Sequence, residues 1–222
     1  MYPYDLVNNH YIILVDGLRC LIDTGSEVSY WVTHPIETLT IDGKEYPLKE
    51  VPITYSIPKA TSSIGVRVDV LIGRDVILDR GLTIDKANRT IEFATREEEG
   101  TTVGYKQRLG AILIKVQQNG KSRSMIVDTA AKYGYGVRPV FPMRKPETTV
   151  IDYNPDMGML MSGIYTLTLN VGDKEAQVPT CKNDAVGEEI SYRYGAELIA
   201  NVTDFFDEVF VLDPENQTIT IR

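Results

Sequence analysis

One strand-and-turn pattern occurs twice in this chain, and an internal repeat constrains the possible folds more than any other sequence feature. Residues 11–25 read as a strand, an Asp-Gly turn, a second strand and a further turn. Residues 111–130 read the same way around an Asn-Gly turn. Apolar strands on both sides of an Asp-Gly or Asn-Gly dipeptide predict a β-hairpin. Both hairpins end in a short apolar stretch followed by Asp-Thr, at Asp23 and at Asp128.

Further segments repeat in the same order. Residues 82–93 align without a gap on residues 210–221, with Asp, Asn, Thr and Ile in register. Residues 39–47 match residues 167–176, again as two strands around a turn that contains glycine. Each half is therefore expected to consist mainly of β-strands.

The repeat also divides the chain. Residues 99–106 are polar and rich in turn-forming residues, which indicates the crossing between two lobes. We expect an N-terminal lobe at residues 1–98 and a C-terminal lobe at residues 107–222.

Charge and hydropathy exclude some partners. The chain of 222 residues has 23 basic and 31 acidic side chains, a formal net charge of -8. No basic run could follow a phosphate backbone, so no nucleic acid partner is expected. No apolar run approaches the ~18 residues of a membrane span, and the first residues lack the pattern of a secretory signal. We expect a soluble, cytoplasmic monomer without membrane contact, although an already trimmed leader stays open.

Cysteine and histidine are scarce. Cys20 and Cys181 fall in different halves, which is neither a disulfide framework nor a metal-binding spacing, and both are expected in the core. His10 and His34 are the two histidines, and neither stands in the context of a nucleophile. We expect structural or solvated histidines, no metal and no cofactor.

The sequence Asp-Thr-Gly-Ser at residues 23–26 follows an apolar strand, and Leu-Ile-Gly-Arg-Asp follows at residues 71–75. This arrangement resembles the pepsin and retropepsin families, and the repeat extends the resemblance over nearly the whole chain. The resemblance implies a mainly β fold of two lobes related by a pseudo-twofold axis, as in the acid proteases. It also implies an aspartic endopeptidase that hydrolyses peptides or unfolded proteins, with Asp23 and Asp128 as its catalytic pair.

The chemistry of such a pair needs no histidine. Two carboxylates a few ångströms apart cannot both ionise cheaply, so they share one proton. The ionised member activates a water molecule and the protonated member polarises the peptide carbonyl.

The resemblance assigns supporting roles to neighbouring residues. Thr24 and Thr129 would bridge the two turns through hydroxyl-to-backbone hydrogen bonds. Gly25 would allow close approach of the backbone, and Ser26 would donate its hydroxyl to Asp23. Arg74 would pair with Glu27. Tyr30 and Tyr135, each seven residues after its aspartate, would contact substrate, together with Trp31.

The second half departs from the family pattern. Its motif reads Asp-Thr-Ala-Ala, with Ala130 and Ala131 where the first half has Gly and Ser. Ala200 is expected in place of the glycine opposite this turn, and Asn201 with Lys132 in place of the arginine and its acid. These changes leave two alternatives open, a catalytically inactive peptide-binding relative and an assembly protein that uses the cleft as an interface.

The position of a flap is also unusual. Leu39 follows Asp23 by 16 positions, whereas Leu167 follows Asp128 by 39 positions, so the second half has more room for a hairpin over the cleft. We expect this hairpin between residues 148 and 165, with its tip at residues 154–158. Met157, Met159 and Met161 would be its adaptable apolar contacts.

Overall fold

A computed structural model describes residues 1–155 and 157–222 of the chain. Strands hold 48% of the residues and helices 15%, so the expectation of a mainly β protein is confirmed. The strands are β1 (Tyr2–Val7), β2 (His10–Val15), β3 (Leu18–Ile22), β4 (Tyr30–Trp31), β5 (Thr38–Ile41), β6 (Lys44–Pro47), β7 (Lys49–Glu50), β8 (Val70–Ile72), β9 (Leu82–Asp85), β10 (Thr90–Glu92), β11 (Thr101–Gly104), β12 (Lys106–Arg108), β13 (Ala111–Gln118), β14 (Lys121–Val127), β15 (Gly134–Gly136), β16 (Thr148–Asn154), β17 (Gly158–Val171), β18 (Lys174–Lys182), β19 (Leu198–Ala200), β20 (Val209–Asp213) and β21 (Thr218–Ile221).

The helices are short. They are α1 (Ile57–Ile64), α2 (Arg74–Arg80) and α3 (Asp184–Tyr194), with 3-10 turns at Arg138–Val140 and Val202–Phe205. None of the helices in the described residues has the length and apolar content of a bilayer span.

Two large sheets carry most of the strands. The first has the order β11-β21-β20-β9-β10-β1-β2-β3-β8-β4-β7, and the second has the order β12-β13-β14-β19-β15-β18-β17-β16. β13 also pairs with β17, which folds the second sheet back on itself. β5 and β6 form a separate hairpin. The first sheet contains strands from both halves of the chain, because β20 from the end of the chain pairs with β9.

The predicted hairpins are present with the predicted turns. The turn between β2 and β3 has φ values of 51° at Asp16 and 81° at Gly17, and that between β13 and β14 has 50° at Asn119 and 73° at Gly120. Two consecutive residues in the left-handed region match the twist of the flanking strands. Local sequence therefore specifies both hairpins.

The segment expected to be an irregular crossing is more ordered than predicted. Residues 101–104 form β11, which pairs antiparallel with β21 at the edge of the first sheet. A polar segment can form an edge strand when a neighbouring strand offers free backbone groups, a condition that its own composition does not reveal.

The main core lies between the two sheets. It includes Ile22, Val70 and Ile72 from the first half and Val127 and Leu198 from the second half. Smaller apolar clusters lie under α1 and under α3. The strands that end at Asp23 and Asp128 are thus anchored in one shared core.

Both cysteines are core residues. Cys20 and Cys181 are buried free thiols, and burial raises the pKa of each to about 12. A thiol with such a pKa stays protonated at neutral pH and is unreactive.

Candidate active site

Each predicted aspartate stands where a buried strand ends beside a parallel neighbour. β3 pairs with β8, and β14 pairs with β19. The backbone N–H of Asp23 donates to the carbonyl of Ile72 at 2.9 Å, and that of Asp128 donates to the carbonyl of Ala200 at 3.0 Å. The same pairing in each half fixes the start of both turns.

Each turn directs backbone donors at its own carboxylate. The N–H groups of Gly25 and Ser26 both donate to Oδ1 of Asp23 at 2.9 Å, and the N–H of Ala130 donates to Oδ1 of Asp128 at 2.9 Å. Among the described residues no donor contacts the Oδ2 atom of either aspartate. The replacement of Gly by Ala at position 130 therefore keeps the N–H bond to the carboxylate.

The expected role of the Ser26 hydroxyl is wrong. Its Oγ donates to the carbonyl of Val28 at 2.8 Å, so Ser26 reaches Asp23 through its backbone N–H. A serine in a turn readily bonds a carbonyl two residues on, and here that local bond replaces the expected one. The first half has no bond from this hydroxyl to its aspartate, so having Ala131 at the equivalent position costs Asp128 no hydrogen bond.

Thr24 and Thr129 join the two turns. The N–H of Thr24 donates to Oγ1 of Thr129 at 3.0 Å, and the N–H of Thr129 donates to Oγ1 of Thr24 at 2.9 Å. Each hydroxyl also donates across the site, from Thr24 to the carbonyl of Val127 at 2.9 Å and from Thr129 to that of Ile22 at 2.7 Å. Both side chains are fully buried, so these four bonds hold the aspartate turns in one fixed arrangement.

Gly25 lies directly against the opposite carboxylate. A Cβ atom at this position would stand 2.5 Å from Oδ2 and 2.7 Å from Cγ of Asp128, closer than any van der Waals contact allows. Ala130 is the equivalent residue in the second half, and its methyl group packs against an apolar cluster of the first half. The close approach of the two turns therefore depends on glycine on one side of the site.

Burial and mutual repulsion disfavour ionisation of both aspartates. Burial, followed by the negative charge of Asp128, raises the pKa of Asp23 from 3.8 to about 7. Burial likewise raises the pKa of Asp128, while the N–H of Ala130 and the charge of Arg74 oppose the shift. A carboxylate pair with raised pKa values holds a proton near neutral pH.

The chain matches no protein-family model and no curated protein.

Arg74 supports the first turn without the expected ion pair. Its Nη1 donates to the carbonyls of Thr24 and Gly25 at 2.8 and 2.7 Å, and the side chain is buried. Among the described residues no carboxylate lies within ion-pair distance of Arg74, and Glu27 is exposed. The expected pairing with Glu27 is wrong because turn carbonyls take the guanidinium.

Asn201 supports the second turn, but the alignment of Ala200 with the glycine and of Asn201 with the arginine of the first half was wrong by one residue. Ala200 is paired as Ile72 is, so Asn201 corresponds to Gly73 and not to Arg74. Its Nδ2 nevertheless donates to the carbonyls of Thr129 and Ala131 at 3.1 Å. One buried amide thus performs for the second turn the bonding that a guanidinium performs for the first.

The two aspartates lie on the floor of a cavity of about 430 Å³. Tyr30 and Tyr135 line this cavity, as expected. Trp31 does not, because successive side chains in a strand point to opposite faces and Trp31 packs against the main core. Trp31 is therefore removed from the set of candidate substrate contacts.

The expected hairpin exists as β16 and β17. Its tip includes residue 156, which lies outside the described residues. Met157 packs partly buried against the apolar cluster beside α3. Met159 and Met161 are exposed by 48% and 74%. None of the three is among the described residues that line the cavity, and their contact with substrate stays a prediction.

Other residues of the hairpin reach the first half. The hydroxyl of Tyr153 accepts a hydrogen bond from the N–H of Ser56 at 2.6 Å, and its ring packs edge-on against Tyr55 at 6.0 Å. The hydroxyl of Ser63 donates to Oδ1 of Asp152 at 2.9 Å. The hairpin and the segment around α1 therefore meet beside the cavity that contains the aspartate pair.

Sequence reasoning missed these contact residues and His10. Tyr55 lines the cavity, and burial, followed by the charge of Asp23, raises its pKa. His10 lines it too, with Nδ1 3.1 Å from the carbonyl of Val7, and burial lowers the pKa of the ring. The spacing of three and four residues in α1 and α3 could have indicated faces that share one environment. It could not indicate which surface they face.

Proposed function

We propose that this protein is an aspartic endopeptidase of the pepsin and retropepsin type, with Asp23 and Asp128 as a pair that shares one proton. The observation that carries the proposal is the reciprocal bonding of Thr24 and Thr129, which places two carboxylates of raised pKa at the floor of one cavity. No part of the proposal requires a metal or a cofactor.

The proposed architecture is two lobes related by a pseudo-twofold axis. Thr83 and Val211 are equivalent positions in the repeat, and they lie directly opposite each other in the antiparallel pair of β9 and β20. The turns that follow repeat a bonding pattern, since Asn88 donates through its backbone and side chain to Asp85 as Asn216 does to Asp213. Matching bonds around a self-paired position support a local twofold axis.

The chemistry proposed for the pair is the addition of water to a peptide carbonyl. The ionised aspartate removes a proton from a water molecule while the oxygen of that water attacks the carbonyl carbon. The protonated aspartate gives its proton to the carbonyl oxygen. The tetrahedral diol then collapses, a proton passes to the amide nitrogen and the C–N bond breaks. The Oδ2 atoms, which the turns leave without donors, are the atoms available for these transfers.

The substrate proposed is an extended peptide or an unfolded segment. The aspartates lie in a cavity beside which the hairpin and the segment around α1 meet, and a cavity of this kind favours a thin, extended chain over a folded domain. An extended strand could lie between the two halves and bond them through its backbone.

An unstructured protein such as reduced, alkylated casein tests the proposal. We expect fragments whose formation is blocked by a peptide with a secondary hydroxyl in place of the scissile amide, because this group mimics the tetrahedral intermediate. Cleavage that persists at saturating inhibitor would contradict the proposed mechanism.

A catalytically inactive peptide-binding protein is the second candidate. The observation that favours it is the asymmetry of the turns, with an alanine methyl where the first half has open backbone. This candidate predicts that the same hydroxyl-containing peptide binds while no substrate is cleaved at any pH between 3 and 8.

A further inference from the structure

Glu27 and Lys132 occupy equivalent positions in the repeat, since each follows its aspartate by four residues. Both line the cavity that contains the aspartate pair. The two halves thus present opposite charges at corresponding points of the cleft.

The other charged groups around the cavity are already bonded. Arg74 donates to turn carbonyls, and Asp152 accepts hydrogen bonds from Ser63 and from Tyr135 at 2.9 and 3.0 Å. Glu189 and Arg193 on α3 form an ion pair of 3.7 Å and offset each other. The cavity therefore has few charges left to interact with a ligand.

Glu27 and Lys132 differ from these groups. Within residues 1–155 and 157–222, neither forms an ion pair. Glu27 is exposed, and the ammonium of Lys132 lies 5.4 Å from the ring centroid of Tyr133, where the aromatic face attracts it. Each remains free to pair with a charge on a bound peptide.

We propose that Glu27 and Lys132 polarise the cleft, so that it binds an extended peptide with a basic side chain beside Glu27 and an acidic side chain beside Lys132. A peptide of the opposite charge order would place like charges together on both sides. For a peptide whose chain direction is fixed by its backbone bonds to the cleft, the pair thereby selects one charge order over the other. This inference rests on the proposed function, because it takes the cavity to be a peptide site.

The expected preference between the two charge orders is modest, because water reaches both Glu27 and Lys132. An ion pair that water reaches changes an equilibrium by a factor of about two to five at moderate ionic strength. Two such pairs should give a preference of roughly fourfold to twentyfold between the two charge orders. The preference should decline as salt rises, because exposed charges are screened.

Binding of non-cleavable peptides measures this preference directly. Two fluorescent series carry a central hydroxyl-containing replacement for the scissile amide, flanked by Phe, Leu and Ala. One series has Lys on the N-terminal side and Glu on the C-terminal side, and the other has the reverse order. The charged residues stand two, three or four positions from the centre, and anisotropy reports the Kd of each peptide.

The charge-swapped variant Glu27→Lys with Lys132→Glu should reverse the preferred order, while its net charge stays that of the parent. The matched control is Glu45→Lys with Lys115→Glu, a swap between two exposed residues that do not line the cavity. The control should keep the parental preference.

Each outcome bears on the inference separately from catalysis. A preference that the cleft swap reverses and the control swap keeps supports it, even if no peptide is ever cleaved, and absent cleavage would then count against the endopeptidase alone. Equal affinity for both series at every spacing, an unreversed preference in the swapped variant, or failure of all the peptides to bind would overturn the inference.

Discussion

Thr24 and Thr129 each accept the other's backbone N–H on a hydroxyl oxygen, at 2.9 and 3.0 Å. These residues lie 105 positions apart in the chain. Their contact joins the two aspartate turns directly, and it makes the geometry of the pair depend on both halves together.

Replacement of Thr129 by Val should destabilise the fold. It removes the acceptor for the N–H of Thr24 and the donor for the carbonyl of Ile22, and leaves both groups buried without partners. We expect a loss of ~2–4 kcal/mol in the free energy of unfolding, measured in urea. Thr129→Ser keeps the hydroxyl and should lose less than half as much. Equal losses in the two variants would show that the methyl group, not the hydroxyl, matters.

Replacement of either aspartate should abolish peptide hydrolysis. Asp23→Asn and Asp128→Asn each remove one member of a pair that acts jointly, so kcat/KM should decrease by roughly a thousandfold or more in both. Asp5→Asn, on the exposed part of β1, is the control and should retain full activity. Full activity of the Asp128→Asn protein would indicate a site formed by two copies of the first half.

The third residues of the two motifs should respond oppositely to substitution. Gly25→Ala would place a methyl carbon 2.5 Å from Oδ2 of Asp128, so the turns must separate and activity should decrease by about a hundredfold. Ala130→Gly removes a methyl group and keeps the N–H bond to Asp128, so activity should stay within about threefold. If Gly25→Ala retains parental kcat/KM, close approach of the turns is not needed for catalysis.

Stability should depend on pH through the aspartate pair. The pKa of Asp23 is raised in the folded chain to about 7, so between pH 4 and 7 the folded state binds more protons than the unfolded state. The free energy of unfolding from this source is therefore largest below pH 4 and decreases as pH rises through 7. The difference in unfolding free energy between parent and the Asp23→Asn, Asp128→Asn double variant isolates this term. A difference that is constant from pH 4 to 8 would contradict the raised pKa.

The amide of Asn201 should be needed for the second turn. Its Nδ2 donates to three carbonyls, of Asn9, Thr129 and Ala131, and its Oδ1 accepts from the N–H of Thr203 at 2.9 Å. Asn201→Asp keeps the shape and the acceptor but loses the donors, and should cost ~2–4 kcal/mol in thermal unfolding at pH 7. Asn119→Asp, in the exposed turn between β13 and β14, is the control. Similar small effects at both sites would mean that water replaces the lost donors.

The local elements were predictable from sequence. The Asp-Gly and Asn-Gly turns, the hairpins around them and the two Asp-Thr turns depend on residues that are neighbours in the chain. The repeat added one long-range prediction, that matching segments of the two halves occupy matching positions in the fold. Together with the resemblance to the pepsin and retropepsin families, it singled out Asp23, Asp128 and both threonines before any distance was known.

The partners of individual side chains were decided by the tertiary structure. Ser26 bonds Val28, Arg74 bonds carbonyls in place of Glu27, and Trp31 faces the core while Tyr30 faces the cavity. The outcomes for Arg74 and Trp31 depend on which acceptor or surface a distant segment brings close, whereas Ser26 takes a carbonyl only two residues away.

The contacts of the hairpin beside the cavity were likewise only partly predictable from the sequence. The sequence by itself determined that the second half has a long hairpin, because its length and alternation are local properties. Only the tertiary structure decided that Asp152 and Tyr153 contact the first half while Met159 faces water. The physical reason is that Asp152 and Tyr153 are neighbours in one strand and point to opposite faces of the hairpin, so their contacts depend on which segments the folded chain brings to each face.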